Sequence, residues 1–321
     1  MRVPLPAAMM TTSTALLPSF MSRSRCLLAA WFRIISLLAV GSAFALLQAC
    51  SAVKLGYNNA PDLVYWWLDS YADLGEAQSL KAREDLARLH QWHRTSELPK
   101  IAELLQKAGG LAQSATTPEQ VCGLFADVRA RFDATLARAE PANVALAMGL
   151  SAAQVGHIEA KFAKSNVEWR EDWINGTPAK REARRLKAMV ERSEQFYGSL
   201  DDRQVGILRD AIAQSDFNPQ VSFTERLRRQ QDLLQTLRQT SNLAGLAPLS
   251  VADATSALRA YLERSVNSPI PAYRAYLDKE IADNCRTVAT LHNGASAEQR
   301  ERAVRRITAY ARDARELAAQ R

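Results

Sequence analysis

Nowhere in the 321 residues do β-branched or aromatic residues alternate with polar ones over the length of a strand. A β-sheet is therefore excluded as the organising element. Nucleophile elbows of the form Gly-x-Ser-x-Gly, glycine-rich phosphate loops and a His-Glu-x-x-His pair are missing too. Their absence removes the enzyme classes that depend on those motifs. The longest apolar run, Ile34 to Leu47, has 14 residues, short of the ~20 that cross a bilayer as a helix. Extending it back to Leu27 would bury Arg33 midway, at roughly 2.5–3.5 kcal/mol.

What is present begins with that short run. It follows Arg23, Arg25 and Arg33 and closes on Leu46-Leu47-Gln48-Ala49-Cys50. A basic flank, a short apolar stretch and a small residue at the cut form the layout of a secretory signal peptide. Residues 1–49 read as a leader that is removed, 50–57 as a tether and 58–321 as a helical domain. The Pro-rich residues before Met21 leave that methionine as an alternative start.

The leader holds four of the 41 basic residues and none of the 34 acidic ones, so the net charge falls from +7 to +3 on its removal. The basic pI is partly a property of the leader, and no nucleic-acid partner is expected. The four cysteines are Cys26, Cys50, Cys122 and Cys285. After export, Cys122 and Cys285 either pair across 163 residues or remain two buried thiols, a choice that geometry decides.

Ala, Leu, Arg, Glu and Gln dominate nearly every window, and one helix-start signal recurs. Thr117-Pro118-Glu119-Gln120, Ser151-Ala152-Ala153-Gln154, Asp201-Asp202-Arg203-Gln204, Ser250-Val251-Ala252-Asp253 and Ser296-Ala297-Glu298-Gln299 each place a polar cap three residues before Gln or Asp. The cap oxygen accepts from the third residue's amide, and that side chain returns a bond to the cap amide. Apolar spacing agrees, as at Val155, Ile158 and Phe162, at Val205, Leu208 and Ile212, and at Ile270, Tyr273, Leu277, Ile281, Val288 and Leu291. Breakers include Pro99, Gly109-Gly110, Pro141, Gly149, Gly198, Pro219 and Gly294. The expectation is an all-α chain of about ten antiparallel helices in one elongated array or bundle, its best dividing joint running from Pro141 to Gly149.

Candidate sites are few. His90, His93 and Glu97 fall at i, i+3 and i+7 and could present metal ligands. No fourth ligand accompanies them and Pro99 interrupts the element, so packing and capping is the preferred role, with no metal and no catalytic residue expected. The basic stretch containing Lys180, Arg181, Arg184 and Arg185 reads as the solvated side of a helix, with anionic lipid headgroups or a partner as the functional alternative. Tyr57, Tyr65, Trp66, Trp67 and Tyr71 crowd the first helix. Core is the preferred reading for them, and a membrane interface or partner contact at Trp66 and Trp67 the alternative.

The segment around Cys50 resembles the lipobox of bacterial lipoproteins. That resemblance implies a lipid on Cys50, export by the Sec pathway and, with Ser51 next, sorting to the periplasmic leaflet of the outer membrane. Leu55-Gly56-Tyr57-Asn58-Asn59, Trp92 to Pro99, Leu150 to Gln154 and Gly198 to Gln204 resemble a family of helical Gram-negative lipoproteins of unknown function. The Leu-Ser-x-x-Gln opening is more faintly similar to periplasmic chaperones of the Spy and CpxP type, which begin helices with Leu-Thr-x-x-Gln. Together these imply a non-enzymatic envelope protein with no cofactor beyond the lipid, held at the membrane by its anchor and bound to another envelope protein. A client-holding chaperone and a metal-dependent envelope enzyme are the rival readings.

Overall fold

A computed structural model describes residues 52–320 apart from 244 and 246. The leader, Cys26 and Cys50 lie outside the described residues. Val53–Arg321 form one compact unit. Among the described residues all regular structure is helical, so the fold is an all-α array.

The helices are α1 (Ala52–Asn58), α2 (Ala60–Ala72), α3 (Glu76–Trp92), a π-helical turn (His93–Glu97), α4 (Leu98–Leu111), α5 (Pro118–Met148) and α6 (Ala152–Trp173). They continue as α7 (Pro178–Tyr197), α8 (Asp202–Gln214), α9 (Pro219–Thr240), α10 (Val251–Val266), α11 (Pro271–Asn293) and α12 (Ala297–Ala319). Thr117, Ser151, Asp201, Ser250 and Ser296 each cap a helix by accepting from the amide three residues on. Every start signal read from the sequence is therefore used.

Helix α5, 31 residues and about 46 Å long, is the hub against which α3, α4, α9, α10 and α11 pack. Pro141 lies inside it and does not break the chain there. The proline removes one bond to the Ala137 carbonyl, but both residues sit on the exposed face, where water can take the freed oxygen. Gly109 and Gly110 likewise lie within α4. The main core joins Val144, Ala147 and Leu150 to Val155, Ile158, Leu234, Leu237 and Leu258. A second core, between α4 and α12, is built on Leu98, Ala102, Ala314 and Leu317, and its alanines let the two helices approach closely.

On α11 the buried face differs from the one read off the sequence. Of that face Leu291 is buried as expected, whereas Ile281, Val288 and the cap residue Ile270 are exposed, and Cys285, Ala289 and His292 are buried in their place. The rotation follows from what docks α11 on the start of α5. Cys122 and Cys285 form a disulfide with Cα atoms 5.5 Å apart. Asn293 bonds the Thr116 amide through Oδ1 and the Thr116 carbonyl through Nδ2. His292 donates from Nε2 to the Ser114 carbonyl, at 2.9 Å, which leaves Nδ1 to accept from the Tyr197 hydroxyl at 3.0 Å.

Two pairs of helix starts are locked together by glutamines. Gln154 Nε2 donates to Gln78 Oε1 at 2.6 Å, and Gln78 Nε2 returns a bond to Gln154 Oε1 at 3.3 Å. Each amide also donates to the partner's loop, Gln78 to the Gly149 carbonyl and Gln154 to the Asp73 carbonyl. Each oxygen accepts from its own cap amide, Gly75 or Ser151. The same arrangement recurs between α8 and α12. Gln204 and Gln299 exchange bonds of 2.7 and 3.0 Å, donate to the Gly294 and Ser199 carbonyls, and accept from the Asp201 and Ser296 amides. Gln204 is 1% exposed and Gln154 8%, so these amides are satisfied by protein partners in place of water.

Replacing Gln204 with Leu keeps volume but strands the Asp201 amide and takes one partner from each polar atom of Gln299, while the Gly294 carbonyl keeps its bond from Arg203. Chemical denaturation is expected to show a loss of roughly 2–4 kcal/mol. The Gln204→Leu/Gln299→Leu cycle should give a coupling of about 1–2 kcal/mol, whereas additive losses would mean the two amides act independently.

Candidate functional site

The polar run His90 to Glu97 sits where α3 gives way to the π turn. Pro99, in the first turn of α4, would clash with the Thr95 carbonyl in a regular α-helix. The chain widens instead of ending. The Leu98 amide bonds the His93 carbonyl five residues back, and helix continues from Glu76 to Leu111 through the bulge. Widening turns two charged side chains inward, so that Arg94 is 9% and Glu97 1% exposed.

These residues grip α1 and the end of α12. His90 Nε2 donates to the Tyr57 carbonyl at 3.0 Å, and His93 Nδ1 lies 3.0 Å from the Tyr57 hydroxyl. Arg94 donates to Asn58 Oδ1, to the Leu317 carbonyl and to Gln320 Oε1, with its guanidinium 5.3 Å from the centre of the Tyr57 ring. Glu97 pairs with Lys100 at 2.8 Å and Arg131 at 3.3 Å. Lys54 of α1 adds ion pairs to Asp313 and Glu316 of α12. Burial pushes the Tyr57 hydroxyl up to about 12.

His90 and His93 both engage Tyr57, at its carbonyl and at its hydroxyl, while Glu97 is taken by Lys100 and Arg131. Among the described residues no group of three or more His, Cys, Asp and Glu side chains is placed to hold a metal ion. The arrangement is a clamp in which neutral imidazoles and a buried guanidinium fix both ends of the helical unit.

The aromatic residues of the first helices divide. Tyr65 is buried, as the core reading expects. Trp66 and Trp67 are 60% and 62% exposed and do not seed the core, which corrects the preferred reading for both. With Leu63 and Val64 they form an outward apolar face on α2. The periodicity of α2 alone could not choose the face, because apolar residues surround most of the helix.

The basic stretch on α7 is largely engaged locally. Arg181 donates to the carbonyls of Ile174 and Gly176, and Arg184 pairs with Asp172 at 2.8 Å. Arg185 bonds Ser215 and lies over the Phe217 ring. Burial lowers its pKa, an effect opposed by Glu280. Lys180 is exposed. No helix of the described residues is long and apolar enough to cross a membrane.

The family of unknown function DUF6279 matches residues 70–249, and the chain belongs to that family. No curated protein and no solved structure matches the chain.

The clamp carries a pH signature. Burial lowers the pKa of His90, helped by Arg94, and lowers that of His93, partly offset by Glu97, in both cases from an ordinary 6.5. The unfolded chain therefore takes up these protons first, and stability falls as pH drops below about 6.5. Arg264 holds Asp232, and Arg259 holds Glu140, below the ordinary carboxylate range, so their losses come at lower pH, under about 4.5. Melting from about pH 7.5 to 5 should show a decline that the His90→Gln/His93→Asn variant flattens. An unchanged slope would contradict the neutral clamp.

Proposed function

We propose that this chain is a lipid-anchored helical lipoprotein that faces the periplasm from the outer membrane and acts without enzymatic chemistry, by binding another envelope protein. The observation that carries the reading is Leu46-Leu47-Gln48-Ala49-Cys50, set after a short apolar run with a basic flank. A single acyl chain holds a protein only marginally, and the several chains that lipoproteins of this kind carry would hold it durably.

The surface that follows supports the same reading. Helix α1 begins two residues after Cys50, and Trp66 stands 16 residues beyond that cysteine in the chain. Leu55, Leu63, Val64, Trp66 and Trp67 are all exposed there. Tryptophan suits the headgroup zone of a bilayer, having an apolar body and a polar N–H. The clamp around Tyr57, Arg94 and Leu317 would hold this face fixed relative to the rest of the unit. In this reading the anchor sets distance and the clamp sets orientation, leaving the remaining surfaces for a partner. The glutamine pairs give the Leu-Ser-x-x-Gln signature a structural use, so a chaperone role is not needed to explain it.

Full-length protein produced in a Gram-negative host with an alkyne-bearing palmitate tests the anchor. The expected intact mass is that of residues 50–321 plus fatty modification, with label lost in Cys50→Ser. Residues 1–49 still attached and no fatty addition would overturn the reading.

A further inference from the structure

Between α2, α5, α6, α9 and α10 lies a half-open cavity of about 640 Å³. That volume is in the range of small-molecule sites, which are mostly apolar with a few placed polar groups. One face of α9 runs its length and changes character along the way. Ser222, Arg226, Arg229 and Gln230 line one part, and Leu233 and Leu237 the other. Arg226 and Leu237 are eleven residues apart on α9, about 16 Å along the axis. Around the leucine end the walls are Val144, Ala147, Leu150, Ile158 and Leu258, all buried members of the main core.

The charged end has an imbalance that defines the ligand. The carboxylates that line it are already taken, Glu225 by Arg228 and Arg229 and Glu140 by Arg259. Arg226 has only neutral partners. Its Nε donates to Asn166 Oδ1 at 2.8 Å and one terminal nitrogen to Ser165 Oγ at 3.0 Å. A half-buried guanidinium held only by neutral groups leaves its charge uncompensated, and a carboxylate supplied by a ligand would complete it.

We infer that this cavity binds a free long-chain fatty acid, its carboxylate on Arg226 and its chain running along α9 toward Leu237. The span from Arg226 to Leu237, the charge at one end and the leucine-lined interior at the other together select that occupant. A neutral chain would leave Arg226 uncompensated. The inference does not depend on lipidation of Cys50, since all lining residues belong to the helical unit.

The test uses the full chain in lipid nanodiscs, a diazirine-bearing palmitic acid, and peptide mapping of the adducts. Adducts are expected on α9 around Leu233 and Leu237, competed by dodecanoate at concentrations where dodecanol fails. Arg226→Gln should lower labelling about tenfold with little change in melting, corresponding to one charge-assisted bond. Ala147→Trp should block the cavity and abolish labelling. Should that variant fail to fold, Arg226→Gln alone decides. Adducts confined to Trp66 and the outer face of α2 would overturn the proposal, as would equal competition by dodecanol or unchanged labelling in Arg226→Gln. Competition by lysophosphatidylglycerol but not dodecanoate would also overturn it, pointing to a phospholipid in place of a free acid.

Discussion

An amide buried away from water must find protein partners or lose its desolvation energy outright, and the helical unit is organised around that demand. Gln204, fully enclosed, has each of its polar atoms engaged, and Gln154 is placed in the same way. Each glutamine belongs simultaneously to its own helix cap and to the loop before its partner's cap. A local capping device thereby becomes a tertiary joint. Hydrophobic burial supplies most of the stabilisation, but it is non-directional, and alanine-rich helices can slide past one another. The glutamine pairs fix which helix starts meet and in what register.

The other polar features extend the same logic to the ends of the unit. At the π turn, the bulge forced by Pro99 aims Arg94 and Glu97 inward, where they meet α1, α5 and α12. At the opposite end of α4, the Cys122–Cys285 bond and the His292 and Asn293 contacts fasten α11 to the start of α5. Closing 163 residues removes unfolded-state entropy worth up to ~5 kcal/mol. Polar and covalent fasteners thus stand where the apolar core is thin. The cavity along α9 is an exception, a place where the core is left unfilled and a cation is left with neutral neighbours.

The fold class and the helix starts were legible because both are local. Ser151, Asp201 and Ser296 announce themselves by side-chain chemistry and a three-residue offset. Gly75 begins α3 with no side-chain oxygen to announce it, so the first member of the Gln78–Gln154 pair carries no signal in the sequence. That Gln78 meets Gln154, or Gln204 meets Gln299, has no local signature, since the pairing crosses 76 and 95 residues. Pro99 was visible as an interruption, but sequence cannot say whether a helix stops or widens there. Tyr65, Trp66 and Trp67 are adjacent in the chain, and only packing assigns the first to the interior and the others to the surface. The arginines of α7 looked like a patch because the carbonyls and rings that take them up lie in other segments. Arg226 stands beside Arg228 and Arg229 in the chain, and only the partners of those two set it apart.

Hydrogen exchange at the cap amides reaches the central claim most directly. Amides in the first turn of an exposed helix ordinarily exchange by fraying. Here the Asp201 and Ser296 amides donate to glutamine oxygens inside a shared joint, so they should exchange only on global unfolding, at the same slow rate as the core of α8. Exchange as fast as at a frayed helix end would show that the joint opens by itself and that the register of the array is set by something else.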